Sequence, residues 1–337
     1  MKNARIHTLE NENGMTMKVS SLGGTVTELT VPDRDGRFAD VLLGRPRVED
    51  YHGSGYMSAL IGRVGNRIRN GQFVLDGVRH QIPLNAGKVS LHGGDEGFDQ
   101  KVWSCRPLAS PEGPALEMTY LSPDGEEGFP GNLFVRVVYT LMHANAWRLQ
   151  YWAVTDAPTV VNLTQHAYFN LNGGEADIRD HVLQMDCSRV TPADATLLPS
   201  GKVVPVAGTP LDFTSPMPIG ARVDARHKLL ANAGGYDHNY VVDRAGPGLA
   251  RCAVLEDPAS GRRMETWTTE PCVQLYTANF LAKGTPGKHG QVYGPRHGVC
   301  LETQHAPDAP NQPGFKSIRL DPGEVMQSTT IYKFTTF

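Results

Sequence analysis

Along most of this chain apolar and polar positions alternate with a period of two, in short segments cut every ten residues or so by Gly, Pro, Asn or Asp. That is the pattern of antiparallel strands joined by tight turns. The clearest case is Gln72–Leu75, then Asp76-Gly77, then 78–82, where Asp-Gly supplies the two positive-φ positions of a type I′ hairpin turn. Asp35-Gly36 and Asp124-Gly125 read as similar turns. In Leu133–Met142, Leu133, Val135, Val137, Tyr139 and Leu141 share one face, while Phe134, Val138 and Met142 make the other partly apolar. A strand covered on both sides is expected there. Further strands are expected at 147–154, 272–277, 299–303, 315–320 and 325–334, with one short helix at 222–231. No repeat, low-complexity tract or linker interrupts the series. The predicted architecture is therefore all-β: one large antiparallel β-sandwich domain over residues 1–337, with few short helices.

Composition supports this reading, because 36 glycines and 24 prolines in 337 residues leave little room for long helices. Lys and Arg number 32 against 35 Asp and Glu, a net charge of -3. No polybasic tract argues for nucleic acid or a membrane surface. The first residues, MKNARIHTLENENG, lack a signal-peptide core, and no apolar run reaches membrane-spanning length. A cytoplasmic location is expected. Five scattered cysteines, none in a C-x-x-C pair, read as reduced thiols.

Several stretches place rigid polar side chains between glycines or inside apolar runs, where packing alone would not ask for them. In the strand around Glu302, alternation puts Cys300, Glu302 and Gln304 on one face, so the carboxylate lies either at a solvated face or in a polar cavity. His166 is either a hydrogen-bonded core residue or a site residue; His92 before Gly93-Gly94 caps a turn or faces a ligand; Arg67 and Asp237 form a structural ion pair or hold something. Rival chemistries lose their usual support. Glu302-Thr-Gln-His305 has the E-x-x-H spacing of a metal helix, but in a strand i and i+3 point to opposite sides. Asp33-Arg-Asp-Gly36 is a calcium-loop fragment without its third acidic position and distal Glu. No metal-protease, nucleophile-elbow, phosphate-loop or dinucleotide pattern occurs. What remains is an acid/base set suited to a neutral polyhydroxylated ligand, with Tyr168, Tyr236 and Phe280 available to cover an apolar sugar face.

The phrases GRVGNRI, LHGG, NLTQHAYFNL, GYDHNY, VQLYTANFL and LETQHAPDAPNQPGF, in this order and at this spacing, resemble the aldose 1-epimerases, also called galactose mutarotases. The likeness runs from about Gly23 to the C-terminus. It implies a galactose mutarotase-like supersandwich with an open sugar cleft, and interconversion of the anomers of free aldoses without cofactor or metal. Carried over, Glu302 resembles the general base and His166 the general acid. Arg67, His92 and Asp237 resemble ligand-holding residues, and Asn66 and Gln274 match positions that line the cleft. Val64-Gly65 replaces the common Tyr-Ala, Ser90 the Asn before LHGG, and Gln165 the Asn before the His; each bears on which sugar fits.

In that reading Glu302 starts ionised and His166 protonated, and the nearby carboxylate is expected to raise the His166 pKa. The expected partner is a small monosaccharide, with no nucleic acid and no membrane. The sequence does not distinguish monomer from homodimer, nor galactose from glucose, xylose or arabinose. A non-catalytic sugar sensor would have no need of both Glu302 and His166. A hexose-phosphate epimerase would need an added Arg cluster, and a lyase or hydrolase a Tyr base or second carboxylate.

Overall fold

Antiparallel pairing dominates the computed structural model of the chain, which describes residues 4–53 and 55–337. A four-stranded sheet is built by Ile6–Glu10, Thr16–Ser20, Val26–Pro32 and Phe38–Asp40 in chain order. A nine-stranded sheet runs Ser104–Leu108, Ala115–Ser122, Leu133–Met142, Ala146–Thr155, Met326–Thr336, Arg262–Thr268, Ala250–Asp257, Val182–Met185 and Met217–Pro218. The C-terminal strand Met326–Thr336 thus joins the central meander to the later hairpin. A five-stranded sheet follows the order Val204–Pro205, Arg189–Thr191, Asp237–Val241, Cys272–Tyr276, Cys300–Gln304.

These sheets face one another across a shared apolar core, to which the four-stranded sheet gives Met17, Val26 and Leu29 and the nine-stranded sheet Leu133, Val135, Val137, Tyr139 and Leu141. The five-stranded sheet adds Tyr240, Val273, Leu275 and Leu301. Each such side chain taken fully from water contributes about 1.5–3 kcal/mol. Tyr332 on the large sheet also donates its hydroxyl to the Leu301 carbonyl at 3.0 Å, binding the two layers beside the site strand. The architecture is the expected all-β sandwich with short helices. Among the described residues no helix is long and apolar enough to cross a membrane, and all five thiols are free.

Some local expectations shift. The hairpin at Asp76-Gly77 has positive φ at both turn residues, as predicted, whereas at Asp35-Gly36 and Asp124-Gly125 only the glycine does. In Leu133–Met142 the first face is fully buried, but Phe134 on the other is 44% exposed, aligned with exposed Leu121 and Val154 on adjacent strands. That end of the outer face is uncovered. The strand expected at 315–320 shrinks to Arg319–Leu320. The helix begins later than expected, at Lys228–Ala233, because His227 caps it by accepting from the Leu229 N–H; Gly234, at φ 62, closes it.

The loop that carries Asn66 and Arg67 is anchored by a residue the sequence did not single out. Arg63 is 2% exposed, and its guanidinium donates to the carbonyls of Ser122, Pro123, Pro130 and Gly131 and to the Ser122 and Thr159 hydroxyls. Burial lowers its pKa to about 10, so it stays a cation.

Candidate active site

At one end of the five-stranded sheet an open cavity of about 390 Å³ is lined by Asn66, Arg67, His92, His166, Asp237 and Glu302, with Tyr56, Tyr168, Tyr276 and Phe280 on its walls. The size suits a small ligand. Segments distant in the chain converge there. Arg67–Arg69 pairs with Val89–Leu91, bringing Asn66 and His92 together. The His92 N–H donates to the Asn66 carbonyl at 2.9 Å, and the Asn66 N–H donates back to His92 Nδ1 at 3.2 Å. His92, Gly93 and Gly94 all have positive φ, and a Cβ on Gly93 would sit 2.1 Å from the Gly62 carbonyl oxygen. Only glycine permits that approach.

His166 follows Thr164–Gln165, which pairs with Leu60–Ile61, and its N–H donates to Ala59. Glu302 lies mid-strand opposite Gln274. Its Oε1 is 3.8 Å from His166 Nε2, with both side chains nearly inaccessible, while Oε2 has no partner. Across the cavity Arg67 Nη2 lies 3.6 Å from Asp237 Oδ2. Tyr168 stacks on His166 with centroids 4.9 Å apart, and Tyr56 lies 4.5 Å from His92. The exposed ring of Phe280 stacks on Tyr276 at the mouth.

Burial controls the electrostatics. It pushes the Glu302 pKa well above the carboxylate range, aided by the Asp237 charge and opposed by Arg67. It lowers His166 to about 4, and His92 well below the imidazole range, where His166 and Arg67 add to the effect. The expectation that Glu302 would raise the His166 pKa is overturned: desolvation of the cation outweighs the neighbouring acid, which itself resists ionisation. The cavity therefore favours the neutral pair, with the shared proton on Glu302.

His92, His166 and Glu302 bring possible metal-ligand atoms within 4.8 Å of one another. The donor set does not fit a metal. A ligating histidine donates its other N–H to an acceptor. Nδ1 of His92 instead receives the Asn66 N–H, so the neutral ring carries its proton on Nε2 and faces the cavity as a donor.

Six of the seven residues singled out in the sequence line this cavity. Gln274 stands one layer behind, donating Nε2 to Asp237 Oδ1 at 2.6 Å. Among the candidate aromatics, Tyr168 and Phe280 reach the cavity. Tyr236 does not, since its ring is fully buried against Phe213 and its hydroxyl donates to Pro210. His305 turns away, as strand geometry requires, and meets Glu270 at 2.7 Å. Sequence reasoning missed Tyr56 and Tyr276. Tyr276 was findable, because it lies two positions from Gln274 and shares its face.

A sequence profile of the family described as Aldose 1-epimerase matches residues 5–333. Galactose mutarotase from Rattus norvegicus is 42% identical over 323 residues, covering 95% of this chain and 91% of that protein. A solved aldose epimerase homologue from C. elegans superposes with a TM-score of 0.90 at 27% identity, covering 99% of both chains. Galactose 1-epimerase from Lactobacillus acidophilus gives 0.86 at 30% identity, covering 99% of this chain and 98% of that one.

Proposed function

The chain belongs to the aldose 1-epimerase family and exchanges the α and β anomers of free aldohexoses such as galactose and glucose, and we propose that Glu302 and His166 are its base and acid. The observation that carries this assignment is their approach, 3.8 Å apart on the wall of one open cavity. Glu302 takes the proton of the anomeric O1 hydroxyl while His166 delivers one to the ring oxygen; the C1–O5 bond breaks and C1=O1 forms. A half-turn about C1–C2 presents the other carbonyl face. Closure then returns the first proton from Glu302 to O1 and the second from O5 to His166.

The pair holds one proton in its ionic state, Glu302 carboxylate with His166 imidazolium, and also one in its neutral state. Ring opening converts the first into the second. Burial favours the neutral state, so the low-dielectric cavity assists formation of the open-chain aldehyde. His92 donates from Nε2 to a sugar oxygen, stabilising charge that grows there, while Arg67, Asp237 and Asn66 hold other hydroxyls. Gln274 contributes through Asp237. Tyr168 and Phe280 offer aromatic surface to the apolar sugar face.

The whole chain is read as one catalytic domain, supported by an apolar cluster running from Leu9 to Phe334. Its free thiols suit a reducing cytoplasm. Polarimetry of freshly dissolved α-glucose or α-galactose tests the reading. Wild-type protein accelerates the approach to equilibrium, and Glu302→Gln lowers kcat by at least about a hundredfold with little change in KM. A Glu302→Gln variant with near wild-type turnover removes Glu302 from the role of base.

A further inference from the structure

The strand that presents Arg67 to the cavity has a neighbour on one side. Arg67–Arg69 pairs with Val89–Leu91, and among the described residues no strand lies along its other edge. In an antiparallel pair the main-chain groups of alternate residues point toward the partner and away from it. Those of Arg67 and Arg69 point away. The Arg67 N–H donates to Asn66 Oδ1 at 2.9 Å, while the Arg67 carbonyl and the Arg69 N–H both meet Asp308. The Asp308 N–H donates to the Arg67 carbonyl at 2.8 Å, and Asp308 Oδ1 accepts the Arg69 N–H at 2.9 Å.

A residue on a neighbouring parallel strand would make this same pair of bonds, with its main-chain carbonyl as the acceptor. Asp308 lies in the left-handed region at φ 58, and its carbonyl turns away to accept the Asn311 N–H. A carboxylate oxygen takes that carbonyl's place. The rest of the carboxylate is also satisfied: Oδ1 receives Asn311 Nδ2 at 2.7 Å, and Oδ2 receives Gln312 Nε2 at 2.9 Å and lies 3.5 Å from Arg69 Nε. The side chain is wholly inaccessible. Asp308 also continues the run of chain that carries Glu302. Between the two, Asn162 fixes His305, accepting its N–H at 2.9 Å and donating Nδ2 to its carbonyl at 3.2 Å.

We propose that Asp308 is a positioning residue that stands in for a second neighbouring strand along Arg67–Arg69 and so sets Arg67 against Asp237 and the sugar. This rests on the reading of Arg67 as a holder of sugar hydroxyls. Arg63 anchors the loop before Asn66, but the strand beyond it is a short two-stranded ribbon, which is marginal by itself. The Arg67 guanidinium is held loosely, with Asn66 Oδ1 at 3.5 Å and Asp237 Oδ2 at 3.6 Å. Contacts of that length do not fix a long side chain, so its place is set by the main chain beneath it. The cycle needs this rigidity, because C1 turns about C1–C2 while the remaining hydroxyls must stay where they are. Arg67 meets those hydroxyls in the closed and the open sugar alike, so its displacement is read in KM rather than kcat.

Asparagine and glycine both tolerate the left-handed backbone at this position. Asp308→Asn keeps an oxygen for the Arg69 N–H, and the half-buried Gln312 amide can turn its own oxygen to the new Nδ2. Asp308→Gly removes the acceptor. The asparagine variant is expected within about twofold of wild-type KM and the glycine variant about five- to tenfold above it, with kcat within about threefold in both. In an Arg67→Met background the glycine substitution is expected to raise KM by no more than about twofold further, since two residues that act through one contact do not add. Equal KM values in the two variants, or a glycine effect that persists in full beside Arg67→Met, would overturn the proposal. Amide hydrogen exchange of the unaltered protein gives the answer if the glycine variant does not fold. The Arg69 and Asp308 amides are expected to exchange slowly and to slow further together when galactose binds, and an Arg69 amide that exchanges as fast as an exposed one would overturn it as well. If Arg67→Met leaves KM unchanged, the reading of Arg67 falls. If Arg67→Met raises KM and Asp308→Gly does not, only the role of Asp308 falls.

Discussion

Gln274 Nε2 donates to Asp237 Oδ1 at 2.6 Å from one strand to the next, and this contact, not the cavity, is where the Gln274 amide is used. Asp237 is thereby held on one oxygen by an amide and on the other by Arg67.

Gln274→Leu keeps the size and removes the donor, leaving one oxygen of a buried carboxylate unpaired. A hydrogen bond to a charged group is worth about 1.5–3 kcal/mol, part of which Arg67 retains, so KM should rise about five- to tenfold with kcat within about threefold. Steady-state polarimetry separates the two constants. A collapse of kcat at unchanged KM would put Gln274 in the proton-transfer step.

The pH profile of kcat/KM should be bell-shaped, because the pair works only with one proton on it. Below the lower limit both groups are protonated and no base remains; above the upper limit the proton is gone and no acid remains. With His166 depressed to about 4 and Glu302 raised, the acid limb belongs mainly to the imidazole and the alkaline limb to the carboxyl. His166→Asn leaves the carboxyl alone as base, so its slow turnover should rise with pH through the raised Glu302 titration, above the wild-type acid limb, and show no alkaline limb. An acid limb that persists unchanged in this variant contradicts the ordering.

Exhaustive dialysis against EDTA should leave turnover intact. The ground is the His92 tautomer, whose Nε2 carries a proton where a metal would need a lone pair. Loss of activity that zinc restores would show that the Asn66–His92 contact reorganises around an ion.

Stability should fall in mild acid, in part through a histidine remote from the site. His181 is fully buried, accepts the Leu171 N–H on Nε2, and has its pKa lowered to about 4, chiefly by burial. From pH 6.5 down to about 4 the unfolded chain binds a proton that the folded chain refuses. The contribution is full above 6.5 and is lost as pH falls. His166 and His238 act in the same sense, while Asp99, raised to about 7, acts in the opposite one. Urea unfolding at pH 7 and pH 4.5 should show His181→Gln losing less than wild type, by on the order of 2 kcal/mol. Identical losses would mean that His181 does not titrate in this range.

Much of the fold was legible because turn chemistry and alternation are local. Asp76-Gly77 forced its hairpin, and Leu133 to Leu141 buried the predicted face. The helix start was less legible, since Arg222 turns inward to the Asp212 carbonyl and the Phe213 ring, partners that lie outside the segment whose apolar pattern suggested a helix. Motif order brought the cavity residues together correctly, but not their depth. The direction of the His166 shift depends on how much protein covers the ring, and Tyr236 is kept from the cavity by Phe213, which packs on its ring. Burial belongs to the assembled layers, and a single segment does not encode it.

The Arg63 anchor has a bearing on the milieu in which the protein works. Its guanidinium is held by carbonyls and hydroxyls, and among the described residues it forms no ion pair. Dissolved ions weaken attractions between exposed charges and reach buried contacts far less. The segment presenting Asn66 and Arg67 thus rests on a foundation that changes in salinity do not loosen, beneath a cavity whose guest is an uncharged sugar. Osmotic swings that would unsettle a scaffold of surface ion pairs leave this one standing.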